Sequence, residues 1–216
     1  MNPSEIMLKG NAEIGTNATL LDFWRWAFSD LCDDDIKGIF AEWMVSLLLD
    51  LPLALSRRVS WADSDIGLSN GTRIEVKASA LWQSWKLVNP DGTRKPVPPP
   101  AVLNSNRIRF GGLQARKAIG ISPATLSANK QLKSDIYIFC MNTQTDAAKW
   151  DAWNLADWEF YVMTAQELNA SKVGSSISLA ALRRVRPAMS ASEFQSYAKS
   201  RFLGNLACPM ASDPGC

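Results

Sequence analysis

Trp61-Ala-Asp-Ser-Asp65-Ile-Gly-Leu-Ser-Asn-Gly71-Thr-Arg-Ile-Glu75-Val-Lys77 alternates apolar and charged residues on both sides of an Asn70-Gly71 turn signal, the pattern of a β-hairpin. Thr72 to Ala78 reads as a strand with Ile74 and Val76 on one face and Glu75 and Lys77 on the other, because side chains alternate along a pleat. Ala62 to Leu68 likewise sets Ile66 and Leu68 against Asp63, Asp65 and Gly67. Loop length decides which residues meet across the hairpin. A two-residue loop puts Glu75 opposite Ile66 and mixes charge into the apolar face. A three-residue loop, Ser69-Asn70-Gly71 with Gly71 left-handed, puts Asp65 opposite Glu75, Ile66 opposite Ile74 and Asp63 opposite Lys77. This second register sorts both faces and is the one expected. It gathers Asp63, Asp65, Glu75 and Lys77 into one polar cluster, which on a merely solvated strand would amount to a weak ion pair.

Upstream, Asp34 to Leu49 carries apolar residues at Ile36, Ile39, Phe40, Trp43, Met44, Leu47 and Leu48, a helical spacing with one stripe facing a core. Asp33, Asp34 and Asp35 suit its N-terminus, where carboxylates cap amides and meet the positive end of the dipole. Glu42 falls at the edge of the apolar stripe, where a solvated helix residue is the plain alternative to a functional one.

Gly38-Ile-Phe-Ala-Glu42-Trp-Met-Val, followed by Asp65-Ile-Gly-Leu and, five residues on, Ile74-Glu75-Val-Lys77-Ala-Ser79, resembles the nuclease core of the PD-(D/E)XK superfamily, which includes many restriction endonucleases and Holliday-junction resolvases. The order of an acidic helix, a strand bearing Asp and a strand bearing Glu-x-Lys covers about Asp34 to Trp85. Beyond that only element order continues it, with Ser134 to Met141 and Trp158 to Thr164 as later strands. Ser64 stands where the motif's name has proline. Asp65 is the favoured aspartate because it fits both the pairing and the following Ile-Gly-Leu; Asp63 is the alternative.

The resemblance implies an α/β fold with a restriction-endonuclease-like mixed central β-sheet flanked by α-helices, and hydrolysis of DNA phosphodiesters assisted by Mg2+, with Mn2+ as a substitute. Asp65, Glu75 and the backbone carbonyl of Val76 would be the metal ligands, an oxygen set that magnesium demands. Lys77 would orient or deprotonate the attacking water. Glu42 would hold a hydrating water or join a second metal site, and one ion and two are both open. Ser79 and Gln83 would contact phosphate, or else mark a strand end packed by Trp82 and Trp85.

Basic residues cluster at Arg107 and Arg109 on a strand-like Asn106 to Phe110, at Arg116 and Lys117, at Arg57-Arg58 and in Arg183-Arg184-Val-Arg186. Any of these would hold phosphates, or simply line a solvated surface. The net charge of +2 is too small to decide between the two. Trp24, Trp26 and Trp43 are expected in the core; Trp150, Trp153 and Trp158 are expected to pack at the sheet edge or to stack on bases. With histidine absent altogether, histidine-dependent triads and histidine-metal nucleases are excluded, and with no Cys-x-x-Cys pair the usual zinc sites are not expected.

At 216 residues the chain suits one domain, with a core of about 19–203, a Pro-rich loop at 87–103 and a frayed end at 207–216. Helices are expected at Thr19 to Leu31 and Ala191 to Phe202, and strands at Asp135 to Met141 and Glu159 to Met163. No run is long enough to span a bilayer and no signal peptide is evident, so a cytoplasmic protein with no membrane partner is expected. Cys32, Cys140, Cys208 and Cys216 are scattered; free thiols suit that compartment. DNA is the expected partner, and a homodimer would match two-fold cutting. A non-catalytic nucleic-acid-binding or assembly protein and an RNase with the same centre are the competing readings.

Overall fold

The computed structural model describes residues 2–9, 16–52, 64–118 and 126–203. Helix α1 (Leu20–Phe28) starts at Thr19, which exchanges hydrogen bonds with Asp22 in a capping box. Helix α2 (Asp34–Leu48) starts at Asp33, whose carboxylate accepts the amides of Asp35 and Ile36. Then come β1 (Ile66–Gly67), β2 (Arg73–Ala80), the short α3 (Ser84–Leu87), β3 (Arg109–Phe110), β4 (Gln114–Ala118), β5 (Leu126–Leu132), β6 (Ile136–Asn142) and β7 (Trp158–Thr164). Helix α4 (Ala165–Ala170), strand β8 (Ile177–Ser178), α5 (Leu179–Val185) and α6 (Ala191–Ala198) follow, and α6 runs on into a π-helical turn over Lys199–Leu203.

The fold is mixed α/β. Its central sheet has the order β1-β2-β6-β7, antiparallel at both edges and parallel between β2 and β6. The hairpin takes the expected register: Ile66 lies opposite Ile74 and Gly67 opposite Arg73. Gly71 is left-handed at φ +85, and Leu68 and Thr72 close a loop of Ser69-Asn70-Gly71. Strand β6, Ile136-Tyr-Ile-Phe-Cys-Met-Asn142, is buried along its whole length, as an unbroken apolar run at the centre of a sheet must be.

Both faces are covered. On one, Ile66, Leu68, Ile74, Val76, Ile138, Cys140 and Phe160 pack under α2 through Phe40, Ala41, Met44 and Val45, and under α6 through Phe194 and Ala198. On the other, Tyr137, Phe139, Met141, Tyr161 and Met163 pack under Phe110, Leu113, Leu168 of α4, Ile177 of β8 and Leu179 and Leu182 of α5. The register of β2 on β6 puts Glu75 beside Tyr137 and Lys77 beside Phe139, so the charged residues of β2 share this second face.

Several expectations are corrected. The buried face of α2 runs through Lys37, Phe40, Ala41, Met44, Val45 and Ser46, so Trp43 and Leu47 turn outward. The bulky Trp43 lies at the rim, where it meets Phe40 and Trp153. Trp24 and Trp26 are exposed, Trp26 by 84%. Phe23 meets Trp26 and Phe28, but no residue of this helix is buried against the rest of the described chain. Of the later tryptophans, Trp158 is buried and Trp153 is 64% exposed. The strand expected from Asn106 to Phe110 is two residues long, preceded by a turn that holds Arg107.

Helix α1 ends at Phe28, short of the expected Leu31; α6 matches its expected start, and β6 and β7 match theirs within a residue or two. The Pro-rich segment is irregular, crossed by one bridge between Val88 and Arg94 and tied to the segment after β6 by Ala101 N–H to Thr145 O. Cys32 and Cys140 are buried free thiols. Asp63, Arg57, Arg58, Cys208 and Cys216 lie outside the described residues. Among the described residues no helix is long and apolar enough to cross a membrane.

Candidate active site

The β1–β2 ladder stops at Ile66, and the Asp65 side chain takes over the next bond: its Oδ2 accepts the Val76 N–H at 2.8 Å. The N–H and C=O of one strand residue point to the same side. The Val76 carbonyl therefore shares an edge with the Asp65 carboxylate. One residue along the same face system, Lys77 Nζ donates to Glu75 Oε1 at 2.7 Å, with both side chains mostly shielded. Ser134 Oγ donates to the other oxygen, Glu75 Oε2, at 3.3 Å.

A second tier holds these groups. The Tyr137 hydroxyl accepts the amides of Lys133 at 3.0 Å and Ser134 at 3.4 Å and donates to Leu113 O at 3.2 Å. It thereby ties the turn before β6 to the loop before β4. That loop passes over Lys77: Gly112 is left-handed at φ +66, and a β-carbon there would lie 3.7 Å from Lys77 Nζ. Glycine lets the backbone lie against the ammonium in this conformation. Burial raises the Tyr137 hydroxyl above its usual range and the Glu75 charge adds to this, while the two amides oppose it.

Electrostatics draw Glu42 into the same group. The Asp65 carboxyl is pushed up to about 6, first by burial, then by the negative charge of Glu75 and to a smaller degree by Glu42, against the opposing pull of the Val76 N–H and Lys77. A partly buried carboxylate that feels the negative charge of two others is stabilised in its ionised form by a nearby cation. Asp65, Glu75 and the Val76 carbonyl are an all-oxygen donor set, suited to a hard ion that keeps several waters. Among the described residues no group of three or more His, Cys, Asp or Glu side chains is gathered to cage a metal by itself. An ion here would depend on that carbonyl and on water.

Of the other expected site residues, Ser79 is buried on β2. Gln83 is committed to the fold: its Oε1 accepts from the buried Lys37 Nζ at 2.7 Å, while Lys37 also bonds Asp34. Arg107 is exposed, and the exposed Arg109 donates to Ser176 Oγ. Arg116 and Lys117 lie on β4, which leaves the Gly112 loop directly. Arg183 and Arg186 are turned to internal work: Arg183 bonds Glu159 and Tyr161, and Arg186 bonds Glu167 and the Val162 carbonyl. Ser134, Tyr137 and Gly112 have no local motif. The one sequence signal for them is Lys133-Ser134-Asp135 at the head of an apolar strand, and it acquires meaning only when β6 is set beside β2.

No protein-family model, no curated protein and no solved structure matches the chain.

Proposed function

We propose that this chain is a magnesium-dependent DNA endonuclease with a restriction-endonuclease-like core. The observation that carries this reading is the meeting, at one sheet edge, of the Asp65 carboxylate held on the Val76 amide with the Glu75–Lys77 pair. Asp65, Glu75 and the Val76 carbonyl are the residues that would hold the ion. When bound, magnesium supplies Lewis acidity toward the phosphate and lowers the pKa of water. Lys77 orients the attacking water and balances negative charge as the phosphorane forms, the role open to an ammonium on the rim of an acidic site. Glu42 adds negative charge from the helix side and receives a proton or a water. Ser134 and Tyr137 fix the orientation of Glu75.

The test is cleavage of plasmid, linear, single-stranded and branched DNA, with RNA in parallel, in magnesium, manganese and EDTA. Wild type is expected to cut only with metal, and Glu75→Ala and Lys77→Ala to lose roughly 10²–10⁴-fold in rate while remaining folded. A folded wild type that cuts nothing and takes up no divalent ion overturns the reading.

One arrangement favours a second reading, a nucleic-acid-binding protein without catalysis. Both Glu75 oxygens already have partners inside the chain, in Lys77 and Ser134. A carboxylate satisfied in this way has less to gain from a metal. Divalent-ion titration by calorimetry separates the two, because the binding protein has no reason to take up magnesium here.

A further inference from the structure

Between Asp91 and Asp135 the chain contains no acidic residue, while it carries Arg94, Lys95, Arg107, Arg109, Arg116, Lys117, Lys130 and Lys133. An even spread of acids would place about four in those 43 residues. With 23 basic and 21 acidic residues overall, this segment is +8 and the remainder, with 15 basic and 21 acidic, is −6. The near-neutral total conceals a strongly divided molecule.

The structure turns the middle of this segment into a two-stranded ribbon, β4 on β5, separate from the central sheet. Its register places Arg116 directly opposite Lys130. Like charges at directly opposed positions of a ladder are unfavourable. Outside this segment eight cations, Arg25, Lys37, Arg73, Lys77, Lys149, Arg183, Arg186 and Lys199, each form an ion pair with Asp or Glu, whereas among the described ion pairs none engages Lys9, Lys86, Lys172, Arg184 or Arg201. Among the described ion pairs none engages Arg107, Arg109, Lys130 or Lys133.

The ribbon is also anchored to the acidic site at both of its roots. Leu113, just before β4, and Lys133 and Ser134, just after β5, all bond the Tyr137 hydroxyl. Gly112 lies against Lys77, and Ser134 bonds Glu75. A polyanion following the ribbon is led to these residues.

We infer that the β4–β5 ribbon is the docking arm for double-stranded DNA, its cations taking phosphates and its width matching the major groove, which admits a two-stranded β-ribbon. The choice of DNA as the occupant rests on the proposed nuclease reading; the charge division and the anchoring at Tyr137 do not.

The test uses the full chain, with binding of a short DNA duplex followed by fluorescence anisotropy in EDTA across a salt series. Three proteins are compared: wild type, a ribbon variant with Arg116→Gln, Lys117→Gln and Lys130→Gln, and a control with Lys9→Gln, Arg25→Gln and Lys149→Gln, which removes the same charge from exposed positions off the ribbon. The ribbon variant is expected to bind about tenfold or more weakly at low salt, with its salt slope reduced by about 0.9 for each phosphate it no longer neutralises, and the control to match wild type. Lys130→Gln alone, a single exposed site, should lower the slope by about one, and this holds the test open if the triple variant does not fold.

Wild-type affinity in the ribbon variant, equal loss in the control, absence of duplex binding by wild type, tighter binding of an RNA duplex, or equal competition by an acidic polypeptide would each overturn the inference. Cleavage in magnesium separates it from the reading it rests on. Duplex binding without cutting sinks the nuclease and leaves the arm. Cutting with unchanged kcat/KM in the ribbon variants sinks the arm and leaves the nuclease.

Discussion

Asp65 is the residue at which folding and chemistry conflict. Its folded pKa of about 6 lies above the ordinary 3.8, so the native state holds the proton more tightly than the unfolded chain does. The resulting stabilisation, at most about 3 kcal/mol, is complete below about pH 4 and is lost as pH rises through about 6. Asp65→Asn keeps an oxygen for the Val76 amide and removes the charge. In EDTA the variant should therefore melt at a higher temperature than wild type, with a gap that widens from pH 4 to pH 7. A gap that is constant with pH would show that Asp65 is not crowded by its neighbours. Tyr137→Phe removes the hydroxyl that joins two backbone segments beside Glu75. Loss of a buried, fully used hydroxyl should cost about 1–3 kcal/mol in denaturant unfolding.

The hairpin and the first long helix depend on single residues whose backbone geometry is special. Gly71 sits at φ +85 with open space where a β-carbon would go, so Gly71→Ala is opposed by conformation alone and should cost about 1 kcal/mol. Asp33→Ala removes the cap of α2 and should cost about 1 kcal/mol, read as a shift of the urea midpoint at unchanged slope. Strand β6 is buried on both faces, so Ile138→Ala leaves a cavity beneath α2 that cannot refill easily, for about 2–5 kcal/mol. The two smaller changes leave the sheet intact, whereas the third strikes its centre.

For the whole molecule, metal binding and stability are one equilibrium if Asp65 and Glu75 hold an ion in the native state only. Magnesium at a hundredfold excess over its Kd should add about 2.7 kcal/mol to unfolding, seen as a rise in Tm. Glu75→Ala should abolish the rise. A wild-type Tm indifferent to magnesium would favour the binding protein. Calcium in place of magnesium separates ligation from chemistry, since it takes the same oxygen ligands.

The hairpin and its register, the α2 cap at Asp33 and the strands of β6 and β7 were legible in the sequence, because they depend on local periodicity, turn residues and unbroken apolar runs. Pairing arithmetic alone puts Ile66 opposite Ile74 and Asp65 beside Glu75, since a one-residue slip would drive charge into the core. The outward turn of Trp26 and Trp43, the commitment of Gln83 to Lys37 and the tie of Ser134 and Tyr137 to Glu75 were decided by tertiary structure. The ribbon of Gln114–Ala118 and Leu126–Leu132 is a local hairpin, but its strands alternate too weakly to be read as strands from the sequence. The outward tryptophans, the Gln83–Lys37 bond and the Glu75 contacts depend on residues far apart in the chain: whether an aromatic side is covered or an amide is occupied is set by how elements pack, which periodicity along a single element does not encode.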